Sequence, residues 1–93
     1  MENKEHYFYV LSCRDGSLYA GYTNNIPRRL KLHNEGKGAK YTRGRGPVKL
    51  VFSKPFSTKG EALKAEYAFK QLNRKQKQEY FIKEGTYVAA EEL

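Results

Sequence analysis

Apolar residues in this chain fall into three short clusters and one helical stripe. The densest cluster runs from His6 to Cys13, where Tyr7, Tyr9 and Leu11 alternate with Phe8 and Val10. Both sides of that segment are apolar, and Tyr, Phe and Val favour extended backbone. A strand with two apolar sides belongs in the middle of a sheet, covered on both faces. Arg14-Asp15-Gly16-Ser17 reads as a turn built on Asp-Gly, and Leu18 to Tyr22 as the return strand of a hairpin. Asn25 is placed to cap a helix whose first turn tolerates Pro27. Ile26 and Leu30 give that helix an inward side, and it runs to about Asn34, stopping near Gly36. A glycine-rich loop from Gly36 to Gly46, closed by Pro47, leads to a third strand from Val48 to Lys54, with Val48, Leu50 and Phe52 on one side.

The second half is helical. Thr58-Lys59-Gly60-Glu61 fits a capping box. Behind it Ala62, Ala65, Phe69 and Leu72 form an apolar stripe, widened by Leu63 and Ala68, along a helix reaching about Leu72. Asn73 ends this helix and caps a last one, to about Lys83, that carries Tyr80, Phe81 and Ile82. The tail from Gly85 has no assigned element. The order β-β-α-β-α-α predicts a small α+β domain.

Composition narrows the class. Ninety-three residues suffice for one domain with a modest core. A hydrophobic content of 39% is too high for a disordered tail. The longest apolar runs, about five residues, fall far short of the roughly twenty that span a bilayer. One cysteine, Cys13, excludes an internal disulfide and a zinc site made of cysteine pairs. The opening residues have no signal-peptide pattern, so the expected compartment is the cytoplasm.

Charge is unevenly distributed. The chain carries +8 overall, but residues 16–60 hold ten cations against one acid, Glu35, a net +9, and the remainder is slightly negative. A concentrated cationic segment suggests an anionic partner, most often nucleic acid. The plainer alternative is a solvated, solubilising face.

Few residues stand out chemically. Glu66 falls inside the apolar sector of its helix, between Leu63 and Phe69. An ionised carboxylate there is costly unless it is paired or holds a metal. Snorkelling at the edge of the stripe, or pairing with an arginine, is the structural alternative. Arg29 and His33 share a helix face at i,i+4, which by itself fits surface decoration. Most of the eight tyrosines fit packing roles with exposed hydroxyls. Tyr41, between Lys40 and Arg43, either stacks on a base or packs under the loop.

Taken together, these positions resemble the GIY-YIG nuclease domain. The resemblance rests on Tyr7-Phe8-Tyr9, Tyr19-Ala20-Gly21, Arg29, His33 and Glu66 in that spacing, and it covers roughly residues 5–83. Gly38-Ala39-Lys40-Tyr41-Thr42-Arg43-Gly44-Arg45-Gly46-Pro47 is similar to the loop of small stand-alone bacterial members, many of them uncharacterised. The chain departs from the name-giving pattern in having Tyr7-Phe8 for Gly-Ile and Ala20 for Ile. The asparagine that some branches carry after the glutamate helix has no assigned counterpart.

The resemblance implies a three-stranded antiparallel sheet flanked by helices. It also implies metal-dependent hydrolysis of DNA phosphodiesters, with Tyr9, Tyr19, Arg29, His33 and Glu66 as catalytic residues. Glu66 is then the ligand of Mg²⁺ or Mn²⁺, ions that keep most of their waters and bridge to phosphate. With one carboxylate the resting affinity is weak, so metal and substrate are expected to bind together. Arg29 would grip the phosphate through a two-pronged contact. Tyr19 is the expected base, activated by nearby positive charge because a free phenol has a pKa of about 10. Tyr9 would orient water or phosphate, and His33 would take a proton from the tyrosine or position it. Gly21 matches the motif glycine, which permits a turn or a close backbone approach.

Lys37, Lys40, Tyr41, Arg43 and Arg45 are the expected clamp on backbone phosphates. No base-reading element is visible. The implied partner is DNA bound with low sequence specificity, selected by shape, such as branched or damaged DNA, or reached through a targeting protein; RNA stays open. A non-catalytic nucleic-acid binder on the same fold is the alternative.

Overall fold

A computed structural model describes residues 6–38, 42, 44 and 46–84. The tail from Gly85 lies outside the described residues. The elements are β1 (His6–Ser12), β2 (Leu18–Thr23), α1 (Ile26–Asn34), β3 (Lys49–Phe56), α2 (Lys59–Lys70) and α3 (Arg74–Glu84). The sheet is antiparallel in the order β2-β1-β3. This is the α+β order expected from the apolar pattern, and the strand apolar on both sides is indeed central.

Local chemistry sets the ends of the elements. In the hairpin turn the Asp15 carboxylate accepts from the Ser17 N–H at 3.0 Å and from its hydroxyl at 2.6 Å. Asn25 caps α1 by accepting from Arg28 N–H, and Thr58 caps α2 by accepting from Glu61 N–H. At α3 the box is reciprocal. Asn73 accepts from Gln76 N–H at 2.8 Å, and the Gln76 side chain accepts from Asn73 N–H at 2.9 Å. Helix α1 closes through bonds from Gly36 N–H to the His33 carbonyl and from Lys37 N–H to the Leu32 carbonyl. The Asn34 side chain then accepts from Val48 N–H at 2.7 Å, tying the helix end to the entry of β3.

Each face of β1 supports its own cluster. Phe8 and Val10 join Ala20, Phe52, Phe69 and Phe81, the last two from α2 and α3. Phe8, Phe52, Phe69, Tyr80 and Phe81 meet as tilted or edge-on rings 5.4–6.3 Å apart. Full burial of one such ring contributes about 1.5–3 kcal/mol, with a further increment from ring geometry. On the other face Tyr9 and Leu11 join Cys13 and Val48, with Tyr19, Ile26 and Leu30 packed against them. The cores of the fold and of the candidate site therefore sit back to back on one strand.

Two expectations fail. Val48, Leu50 and Phe52 do not share a face. Val10 pairs with Phe52 and Leu11 with Leu50, so Val51 is an extra residue in the ladder. This bulge sends Phe52 to one cluster and leaves Leu50 38% exposed. On α2, Ala62 and Phe69 are buried, but Leu63 and Ala68 are exposed. The inward stripe is narrower than the composition of the helix suggests, and Glu66 lies at its margin. Among the described residues no helix is long and apolar enough to cross a membrane.

Candidate active site

The hairpin register brings the two motif tyrosines together. Tyr9 faces Gly21 and Leu11 faces Tyr19, so all four project to the side that carries α1. Tyr9 and Tyr19 are diagonal neighbours with ring centroids 6.4 Å apart. Tyr9 is buried and Tyr19 partly so. At Gly21 a Cβ would lie 2.7 Å from the Tyr9 hydroxyl and 3.1 Å from the Tyr19 ring. The motif glycine is therefore the floor on which the Tyr9 hydroxyl rests, rather than a turn residue.

Helix α1 supplies the next two groups. His33 is buried; its Nε2 is 3.0 Å from the Tyr9 hydroxyl and its Nδ1 is 2.8 Å from Thr42 Oγ1. Its ring also lies 5.2 Å from that of Tyr19. Burial, and secondarily the charge of Arg29, hold the His33 pKa below its ordinary value, so the imidazole is neutral. Arg29 directs hydrogen bonding and charge at the Tyr9 phenol. A guanidinium only donates, so the Tyr9 oxygen accepts from it. The Tyr9 hydroxyl is then free to donate to His33 Nε2. An imidazole that accepts from Tyr9 at Nε2 carries its proton on Nδ1, facing Thr42 Oγ1.

Burial pushes the Tyr9 pKa up. Arg29 opposes this, while Tyr19 and Glu66 add to the rise. Tyr9 is thus held as a neutral phenol inside a chain of hydrogen bonds.

Arg29 carries an unmet demand. Its Nε is buried without a hydrogen-bond partner among the described residues. Such an orphan costs about 1–3 kcal/mol, and more when the group is charged. The same residue borders a hollow of about 240 Å³ formed with Thr23, Asn24, Asn25, Arg28 and Leu32. The Arg29 side chain thus links the buried Tyr9 phenol to an open hollow at the start of α1.

Glu66 comes from α2, and its charge reaches the Tyr9 phenol. Its carboxylate is 2.8 Å from Lys70 Nζ, and its side chain retains 17% exposure. The partner is therefore a lysine one turn on, not an arginine. No cluster of three or more His, Cys, Asp and Glu side chains able to hold a metal exists among the described residues. A single hard oxygen ligand that already attracts a cation fits a hydrated Mg²⁺ or Mn²⁺ and does not fit a closed all-protein cage.

The structure thus brings Tyr9, Tyr19, Arg29, His33 and Glu66 into one neighbourhood. Of the expected clamp, Lys37 is exposed just beyond α1; Lys40, Tyr41, Arg43 and Arg45 lie outside the described residues. Sequence reasoning missed Thr42, which sits in the cationic loop but is buried under His33. It also missed Gly38, whose missing side chain makes room for the His33 ring. Nothing periodic marks either residue. The only available hint was that the loop's small residues follow the helix that carries His33.

Comparison with known proteins gives the same grouping. The GIY-YIG catalytic domain matches residues 5–80. A UPF0213 protein of Bacillus licheniformis is 71% identical over 80 residues, covering 86% of this chain and 82% of its own. The UPF0213 protein YazA of Bacillus subtilis is 55% identical over 95 residues, covering 97% and 96%. Among solved structures, the NMR structure of a protein from E. faecalis superposes with a TM-score of 0.62 at 56% identity, covering 89% of this chain and 90% of that one. That of a UPF0213 protein from Bacillus halodurans gives 0.55 at 53% identity, covering 82% and 81%.

Proposed function

This chain belongs to the GIY-YIG family, and from that premise we propose that it is a metal-dependent DNA endonuclease hydrolysing phosphodiester bonds. The observation that carries the reading is the Arg29 Nε, buried and unpartnered beside the Tyr9 phenol, in a site that also contains Tyr19, His33 and Glu66. Such a donor suits an anionic ligand such as phosphate better than it suits folding alone.

The residues divide the work. Arg29 grips non-bridging oxygens of the scissile phosphate, where charge builds in the transition state. Tyr9, locked between Arg29 and His33, orients the attacking water or the phosphate. Tyr19, less buried and beside the His33 ring, would take the water's proton as the tyrosinate, its own proton having first passed to solvent. His33 stays neutral, and its Nδ1–H contact with Thr42 fixes its orientation. Glu66 would hold Mg²⁺ or Mn²⁺, which when bound supplies positive charge at the phosphate and leaving oxygen. Lys37, Lys40, Tyr41, Arg43 and Arg45 clamp the flanking backbone. DNA affinity then falls steeply with salt. The substrate is DNA chosen by shape, such as branched or damaged duplex, with a partner protein for targeting and a cytoplasmic place of action.

The test is cleavage of supercoiled plasmid and of branched DNA with Mg²⁺ or Mn²⁺. Wild type is expected to cut, and Glu66→Ala and Arg29→Ala to lose activity. Cleavage that persists unchanged in either variant sinks the assignment.

The net +9 of residues 16–60 favours a second reading, a non-catalytic binder of DNA or RNA. It predicts salt-sensitive binding that Glu66→Ala leaves intact, with no cleavage under either metal.

A further inference from the structure

Helix α2 carries an ion pair that the proposed chemistry does not call for. Lys70 Nζ sits 2.8 Å from Glu66 Oε2, and the same ammonium lies 6.0 Å from the centroid of the Tyr19 ring. A second i,i+4 pair among the described residues, Lys31–Glu35, is 3.9 Å long with side chains 75% and 42% exposed, as expected of a loose surface contact. Lys70–Glu66 is closer: the Lys70 side chain is 48% exposed, but its carboxylate partner is only 17% exposed, and the ammonium lies beside one of the two site tyrosines.

The arrangement answers a difficulty of the site. A carboxylate at the margin of an apolar stripe is costly when nothing neutralises it. Its bare charge also works against ionisation of nearby phenols. In the absence of a divalent ion, Lys70 is the cation that stands there.

From this we infer that Lys70 is a built-in substitute for the divalent ion: its ammonium occupies the Glu66 carboxylate at rest and competes with the metal for it. The inference rests on the metal role of Glu66 proposed above. Lys70 is a positioning residue in this scheme and touches no reacting atom. A helix-stabilising pair alone would leave metal affinity unmoved. A competing ammonium makes it weaker than the carboxylate could otherwise give.

The experiment measures Mn²⁺ binding directly, by the loss of the free-ion EPR signal, on the DNA-free protein titrated through the millimolar range in which a one-carboxylate site fills. Lys70→Met keeps the length of the side chain and removes the charge; it is expected to bind Mn²⁺ about two- to fivefold more tightly, the scale of competition from a partly exposed ion pair. Lys70→Arg keeps the cation and is expected to match wild type. Glu66→Gln, made alone and in the Lys70→Met background, should abolish the binding. Equal or weaker binding by Lys70→Met, with Glu66→Gln still abolishing it, overturns the competition and leaves the metal role of Glu66 standing. Mn²⁺ binding that ignores Glu66→Gln in both backgrounds removes the metal role and this inference with it.

Discussion

The Tyr9 hydroxyl lies over Gly21, 2.7 Å from where a side chain at that position would begin. The two are partners across the hairpin, so neither moves without the other. Gly21→Ala is expected to push the buried phenol off His33 and to cost roughly 1–3 kcal/mol, the usual penalty for overpacking. Cleavage should fall with it. Adding Tyr9→Leu removes both colliding atoms, the hydroxyl at 2.7 Å and the ring carbon at 2.8 Å, so the double variant should recover part of the lost stability. Denaturant unfolding of the four proteins in this cycle measures the coupling. Additive effects would mean that the contact is not tight.

Arg29 should separate stability from activity. Its buried Nε has no partner among the described residues, but its guanidinium also serves the Tyr9 phenol, so Arg29→Met removes one unmet donor and one hydrogen bond together and is expected to change the unfolding free energy by less than about 1 kcal/mol. Activity should fall by about two to three orders of magnitude, as when an oxyanion-stabilising donor is lost. Thermal unfolding and plasmid cleavage on the same preparation decide. A larger destabilisation of Arg29→Met would show that the guanidinium is structural.

His33 predicts an acid-side loss of stability. Its folded pKa lies below the ordinary 6.5, so the unfolded chain binds more protons as pH falls through that value. The stabilisation is fully present above about pH 6.5 and drains away below it, until the folded protein also takes the proton. The apparent melting temperature should decline from pH 7 to 5, and His33→Gln should flatten that decline. Tyr9 predicts the opposite limb. Its folded pKa is raised above 10.0, so its contribution is present below pH 10 and is lost at higher pH.

Thr42→Val keeps the shape of a buried side chain and removes the partner of His33 Nδ1. The orphaned ring nitrogen is expected to cost about 1–3 kcal/mol. The tautomer should change as well. With Thr42 gone, the Nδ1 proton loses its acceptor, and ¹⁵N shifts of the His33 ring should move relative to wild type. Unmoved shifts would place the proton elsewhere in wild type.

Much of this was legible in the residues because it is locally encoded. Asn25, Thr58 and Asn73 cap helices within four residues of themselves, and Asp-Gly turns the hairpin. The two apolar sides of β1 announced a central strand. What escaped was set by partners distant in sequence. The bulge at Val51 depends on how β3 meets β1, and strict alternation could not reveal it. Thr42 lies among cations and glycines, and only the approach of His33 makes it an inward residue. Glu66 stood out as a carboxylate in an apolar sector, but its partner Lys70, one turn away, was there to be read and was not.

Strand β1 sends Phe8 and Val10 into the core and Tyr9 and Leu11 toward the site. A deletion or insertion of one residue in it would exchange the two sets. Tyr9 is therefore under two kinds of selection at once, and its retention in a relative is poor evidence that the relative still cuts. Arg29 bears on the fold differently, since the protein folds around its unsatisfied nitrogen at a cost. If the endonuclease proposed above is right, a lineage that abandons catalysis has reason to discard that arginine first, and keeping it would mark continued use of a phosphate ligand.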